Sequence, residues 1–208
     1  MKKELHIFFT ALMFYTRIPC PSWIDHNEEY LNRATKYFPL IGWIVGGISV
    51  LALILSQFVF SAIPTIVLAL TASVLATGAF HEDGFADVCD GFGGGWTKEK
   101  ILDIMKDSRL GTFGAAGLVL IFLFKIYLLN DLLFTFTFDY VFSILLFINS
   151  HALSRFTAST FILTHKYVRE NDLSKSKPVA KSFRIVDFIV AGIMGFVPLV
   201  VLAVYLEN

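Results

Sequence analysis

Residues Phe38–Phe60 read FPLIGWIVGGISVLALILSQFVF, 23 positions without a charged side chain. A helix needs about 20 predominantly apolar residues to cross the roughly 30 Å hydrocarbon core of a bilayer. Gly42 and Gly46 stand four apart within this run, the small-xxx-small spacing that lets two helix backbones approach closely. The same reading applied outward gives four more runs: Ile63–Phe80, Phe113–Leu129, Tyr140–Leu163 and Val186–Leu206. The turn at Ser61 and Ala62 is so short that the first two runs form a hairpin. Composition agrees. Of 208 residues, 56% are hydrophobic and 16% charged, with 22 Phe, against about 45–50% and about 25% in soluble domains. The predicted fold class is all-α: a polytopic transmembrane helix bundle of about five spanning helices, forming one integral membrane domain over residues 1–208.

The segment before the first span imitates a secretory signal, with Lys2 and Lys3 ahead of an apolar stretch from Leu5 to Tyr15. Arg17 and Pro19 occupy the positions where small residues should precede a cleavage site. The segment is therefore expected to be retained as a short interfacial or re-entrant helix. Cys20 and Cys89 fit neither a disulfide framework nor a zinc spacing and read as packed thiols. A net charge of zero gives no reason to expect nucleic acid as a partner.

Fifteen of the 17 Lys and Arg lie in three segments: before the first span, in a polar insertion at 81–112, and in a basic loop at 164–184. Five alternating spans put all three on one side, which the positive-inside rule makes cytoplasmic. The bilayer is thus the first partner, with the inner membrane as location and the C-terminus outside. The basic loop can hold anionic lipid head groups or phosphates of a substrate. Trp23, Trp43 and Trp96 read as interfacial anchors.

The insertion opens His81-Glu82-Asp83-Gly84-Phe85-Ala86-Asp87-Val88-Cys89-Asp90-Gly91. If the helix of the second span continues, Asp83, Asp87 and Asp90 lie at i, i+4 and i+7 on one face. Asp103 and Asp107 repeat the i, i+4 spacing. Like charges so spaced destabilise a helix, and no Lys or Arg occurs between Lys36 and Lys98 to offset them. Hard carboxylate oxygens without cationic neighbours suit magnesium, with manganese as the alternative. Asp83, Asp87, Asp90 and Asp103 are the expected metal ligands. Asp107, one helical turn beyond Asp103, is the candidate general base, with His81 as its rival unless it is simply packed at a helix end.

Arg109 can bind pyrophosphate bidentately or pair with a nearby carboxylate. Arg155 lies inside the fourth span, where a guanidinium needs an anion unless it snorkels. Lys125 is expected to snorkel outward. Gly93-Gly94-Gly95 allows close approach to a phosphate or a plain turn. Gly91, Gly94 and Arg17 complete the candidate substrate contacts, and Arg33 and Lys36 are further anion candidates.

Asp87-x-x-Asp90-Gly91 followed by Asp103-x-x-x-Asp107 resembles in part the signature of membrane CDP-alcohol phosphotransferases. A closer resemblance runs through almost the whole chain. His81-x-Asp83-Gly84-x-Ala86-Asp87-x-Cys89-Asp90-Gly91 and Ile104-Met105-Lys106-Asp107-Ser108-Arg109-x-Gly111-x-Phe113-Gly114 resemble the core motifs of the cobalamin synthase (adenosylcobinamide-GDP ribazoletransferase) family. Thr16-Arg17-Ile18-Pro19 and Tyr37-Phe38-Pro39-Leu40-Ile41-Gly42 are similar to its opening segments. Members commonly carry more hydrophobic sequence at the C-terminal end than this chain does. The resemblance implies a transferase for adenosylcobinamide-GDP and α-ribazole, or its 5'-phosphate, releasing GMP. A metal-dependent CDP-alcohol-type phosphotransferase is the runner-up. A divalent-cation transporter is the third reading, disfavoured because acids should then line the spans and the spans are read as carrying none. A homo-oligomer is left open.

Overall fold

The structure is a computed structural model describing residues 2–24, 27–134, 138–165 and 184–207. The described residues are helical, without strands. The helices are α1 (Lys2–Tyr15), α2 (Glu28–Ala34), α3 (Phe38–Ser56, reached through a 3-10 turn at Thr35–Tyr37), α4 (Ala62–Thr77), α5 (Phe80–Gly94), α6 (Lys98–Ile104), α7 (Thr112–Phe134), α8 (Tyr140–Thr164) and α9 (Ile185–Leu206). Among the described residues four helical stretches are long and apolar enough to cross a membrane: Glu29–Ser56, Thr112–Phe134, Tyr140–Thr164 and Ile185–Leu206. A fifth crossing exists if α4 and α5, bent by 92° where they meet, count as one broken span. The chain folds as two compact units, Met1–Leu51 with Asp139–Asn208, and Ala52–Phe138.

In the first unit the glycine spacing does what the sequence suggested. A Cβ on Gly42 would come within 2.5 Å of the His151 carbonyl oxygen, and one on Gly46 within 2.9 Å of that of Phe147. Only hydrogen at these positions lets α3 lie against the backbone of α8. Between α8 and α9, Gly195 likewise admits Phe156. Pro198 lies inside α9 and cannot donate to the carbonyl four residues earlier. The Trp43 indole N–H donates to that carbonyl, on Met194, at 2.8 Å, and the Asn149 amide donates to the carbonyl of Pro198 at 2.9 Å. Trp43 is therefore interhelical glue rather than an interfacial anchor, whereas Trp23 and Trp96 are exposed. With little water at hand, a span must satisfy its carbonyls from within the protein.

The N-terminal segment forms a helix of 14 residues, about 21 Å at 1.5 Å per residue and too short to span. Ile7, Ala11 and Tyr15, four apart, are buried, and Tyr15 stacks on Phe38 at 4.1 Å.

In the second unit α4 does not run on into the acidic segment. Gly78 and Ala79 both take the left-handed conformation, φ 65° and φ 60°. The amide of Ala79 donates to the carbonyl of Val74, closing α4. Such a conformation costs a residue with a Cβ roughly 1–2 kcal/mol, and it turns α5 sharply away from α4. The outer sides of α7 and α9 are rich in exposed large apolar residues, among them Leu120, Phe124, Ile193 and Val200, as a surface solvated by lipid requires.

Candidate active site

The acid-bearing helix α5 begins at Phe80 and keeps the expected register, so Asp83, Asp87 and Asp90 share one face although the helix itself is new. Two packing faces flank that stripe. On one side Ala86, Cys89 and Asp90 meet α7, where a Cβ on Gly114 or Gly117 would strike the Asp90 carboxylate or the Cys89 sulfur. On the other, Gly91 and Gly95 meet Ile101 of α6, and Gly91 also meets Met105. Glycine in α5 is thus used for close packing. Gly94 is the last helical residue and Gly95 caps it with φ −107°, so the triple glycine is helix end rather than phosphate loop. Gly91 and Gly94 are placed against Met105 and Ile104, which gives both a packing reason.

The stripe is graded in exposure. Asp83 is exposed, while Asp87 and Asp90 are half-buried. The Asp90 carboxylate accepts the amide N–H of Gly111 on Oδ2 and of Gly114 on Oδ1, each at 2.8 Å. Glu82 has its Oε2 buried without a hydrogen-bond partner.

His81 precedes Asp83 by two residues and Asp90 by nine. At 100° per residue it faces the opposite side of α5 from the stripe, with its ring edge-on to Phe80. Asp103 is exposed. Ile101, Ile104 and Met105 are the side chains that turn to α5, which leaves Asp103 on the far side of α6. Asp107 is not on that helix. α6 ends at Ile104, and the amide of Asp107 bonds the Ile104 carbonyl in a turn. Two successive i to i+3 bonds, Lys106 to Asp103 and Asp107 to Ile104, tighten the chain here, so Asp103 and Asp107 do not stack as on an α-helix. Among the described residues no three His, Cys, Asp or Glu side chains converge closely enough to form a complete metal cage.

Arg109 resolves its two alternatives toward a carboxylate. Its Nε donates to both oxygens of Asp107 at 3.0 Å, its terminal nitrogen to Oδ2 at 2.6 Å, and its backbone amide to Oδ1 at 3.1 Å. The guanidinium beside it holds the Asp107 carboxyl below the ordinary carboxylate range. Both groups face water, with 88% of the Arg109 side chain exposed.

The first unit holds the other candidate cations. Arg155 is 3% exposed at mid-helix in α8, so it does not snorkel. Its guanidinium donates to the carbonyl of His151 at 3.0 Å, lies beside that residue's Nδ1, and sits 5.7 Å above the Phe38 ring. Arg17 is exposed just after α1. Arg33 and Lys36 are engaged by acids. Glu4 receives both, at 3.2 Å and 2.5 Å, together with the Tyr37 hydroxyl. The hydrogen bond from Lys36 holds the Glu4 carboxyl below its usual value.

Buried Asp187, in the first turn of α9, lies 3.9 Å from Arg33 and 3.8 Å from Lys36, and takes two hydrogen bonds from Arg184. This corrects the reading that the spans hold no acid: Asp187 falls inside the last one. The signal was legible in Arg184 and Asp187, an i, i+3 pair at the head of an apolar helix. The remaining basic residues of the 164–184 loop, Lys166 to Lys181, lie outside the described residues.

These features define a polytopic helical membrane protein that carries an acidic stripe on a helix set across its neighbouring apolar one. The sequence profile of cobalamin-5-phosphate synthase matches residues 7–207, and the chain belongs to that family. It is 46% identical over 188 residues to an adenosylcobinamide-GDP ribazoletransferase of Shewanella frigidimarina, covering 90% of this chain and 71% of the relative. The protein of that name from Shewanella pealeana is 46% identical over 203 residues, 98% of this chain and 77% of the relative. The one from Shewanella halifaxensis is 49% identical over 180 residues, 86% and 68%. No solved structure matches the chain.

Proposed function

We propose that this chain performs the transfer for which its relatives are named. Adenosylcobinamide-GDP and α-ribazole, or its 5'-phosphate, are joined to give adenosylcobalamin, or its 5'-phosphate, with release of GMP. The observation that carries the reading is the family match over residues 7–207, which includes the whole acidic segment. In this reaction the ribose 3'-hydroxyl attacks the phosphorus next to cobinamide, the P–O bond to GMP breaks, and GMP leaves with that oxygen. The hydroxyl proton needs an acceptor.

Asp107 is the proposed acceptor. Its exposed position lets an acceptor hydroxyl reach it once Arg109 turns to a phosphate of the donor, which it can grip bidentately. His81, on the far face of α5, is the weaker candidate. Arg155 and Arg17 stay as proposed phosphate contacts, each tested by the KM of its own variant.

Magnesium, or manganese, is proposed at Asp83 and Asp87. Magnesium is usually held by one or two carboxylates plus substrate phosphates rather than by a full protein cage, so exposed Asp83 with half-buried Asp87 one turn on fits it. Asp103, on the far side of α6, does not fit this pair. When bound, the cation neutralises charge on the transferring phosphate.

The site is proposed to face the cytoplasm of a bacterial inner membrane. With only four crossings the acidic segment and the basic N-terminal segment would fall on opposite sides. The charge bias therefore requires α4 to cross as well. Its 16 residues give about 24 Å, short of the roughly 30 Å core, so local thinning of the bilayer goes with this topology.

The test is GMP release from adenosylcobinamide-GDP and α-ribazole by the full chain in proteoliposomes, with magnesium. Wild type should release GMP and Asp87→Asn should lose most of that activity while inserting normally. Equal rates would remove Asp87 from the site, and CMP release from a CDP-activated donor instead would favour the CDP-alcohol reading.

A further inference from the structure

The first turn of α7 lacks a cap of its own. Gly111 occupies the position before the helix, its carbonyl accepting the first intrahelical bond from Ala115 at 3.0 Å, and Gly114 follows three residues later. In a capping box, side chains at these two positions satisfy each other's backbone amides. Two glycines have no side chains to do so, and unbonded amides at a helix start need some acceptor. Asp90, reaching from α5, accepts both amides with one carboxylate, at 2.8 Å each.

The glycines are also what makes room for it. A Cβ on Gly111 would lie 2.7 Å from the Asp90 carboxyl carbon, and one on Gly114 3.0 Å from the same atom and 3.0 Å from the Ala86 carbonyl oxygen. Asn offers one acceptor where the two amides need two. Glu is a methylene too long for a contact this close.

The consequence lies in the link this clasp ends. Residues 105–111 join α6 to α7 and carry Asp107 and Arg109. We propose that Asp90 is a positioning residue: its double amide clasp fixes the end of the link, and so fixes Asp107 and Arg109 relative to Asp83 and Asp87 on the same face of α5. In that case Asp90 serves the reaction through backbone geometry rather than by holding the metal. The proposal rests on the reading of Asp107 given above, while the clasp itself is measured separately.

The test uses the full chain in detergent and three variants, Asp90→Asn, Gly111→Ala and both together. In Asp90→Asn, amide hydrogen exchange should accelerate at residues 111 and 114. The kcat should fall about 100-fold, the loss that a displacement near 1 Å costs, with the magnesium concentration for half-maximal rate unchanged. Gly111→Ala keeps every carboxylate and should reproduce the loss. The double variant should be no slower than the slower single one, as for two residues serving one contact.

A tenfold rise in the magnesium requirement of Asp90→Asn with unchanged exchange would overturn the proposal, as would wild-type kcat in Gly111→Ala. Full activity of Asp107→Asn beside fast exchange in Asp90→Asn would leave the clasp standing and remove its catalytic purpose, since the base would then lie elsewhere.

Discussion

One group of acids in each unit is treated in the opposite way to the other. In the first, each described acid near the membrane end of α9 is wrapped in cations: Asp187 by Arg33, Lys36 and Arg184, and Glu4 by Arg33 and Lys36. In the second, Asp83 and Asp87 stand four apart on α5 in a stretch without a single Lys or Arg from 81 to 97. A buried ion pair broken on one side leaves an uncompensated charge and is costly. An acid outside such a cation cluster, on a face open to water, is cheaper to replace. The first arrangement holds the protein together, and the second is the one proposed above to hold the cation.

The contrast can be broken by substitution. The largest expected effect is that of Asp187→Ala, which leaves buried Lys36 with Glu4 as its remaining anion and should cost about 3 kcal/mol of stability, read as a fall in the thermal midpoint in detergent. A midpoint near wild type would show that the cluster is not a structural one. Next comes Asp87→Asn, expected to lower kcat by at least roughly 100-fold, on the scale of removing one preorganised electrostatic contact, at an unchanged midpoint. Loss of stability in this variant would erase the distinction between the units.

Trp43→Phe should cost about 1–3 kcal/mol, because it orphans the buried Met194 carbonyl that Pro198 cannot serve. Combining it with Pro198→Ala, which restores a backbone donor, should recover much of that loss. The smallest effect concerns Asp107. Arg109 lowers its pKa, so the pair's contribution is present above the ordinary Asp value of about 3.9 and fades as pH falls through the lowered one. Arg109→Gln should move the Asp107 titration, followed by NMR, upward toward about 3.9. An unmoved titration would mean that the pair does not persist in solution.

The sequence was informative where one local rule decided the outcome. Gly42 and Gly46 specified a close helix contact, and the 3.6-residue period put Asp83, Asp87 and Asp90 together whatever helix carried them. It was silent where distant residues decided. Gly78 is a stop signal after Thr77, but an apolar run that reads on to Phe80 passes over it, and nothing local announces the left-handed Ala79. Gly93 to Gly95 looked like a loop because glycine is rare in helices, yet here the missing Cβ atoms admit Phe113, Ile104 and Ile101. Trp43 looked like an anchor because its partner carbonyl lies 151 residues away. Asp187 was absorbed into an apolar average that hid a charged first turn.

The right-angle departure of α5 from α4 has one more implication. If α4 stands upright in the bilayer, α5 lies along the waterline like a shelf. A corrinoid far too bulky and polar to enter hydrocarbon could then be worked on without leaving the aqueous phase, and the membrane would serve as a floor rather than a solvent for the reaction.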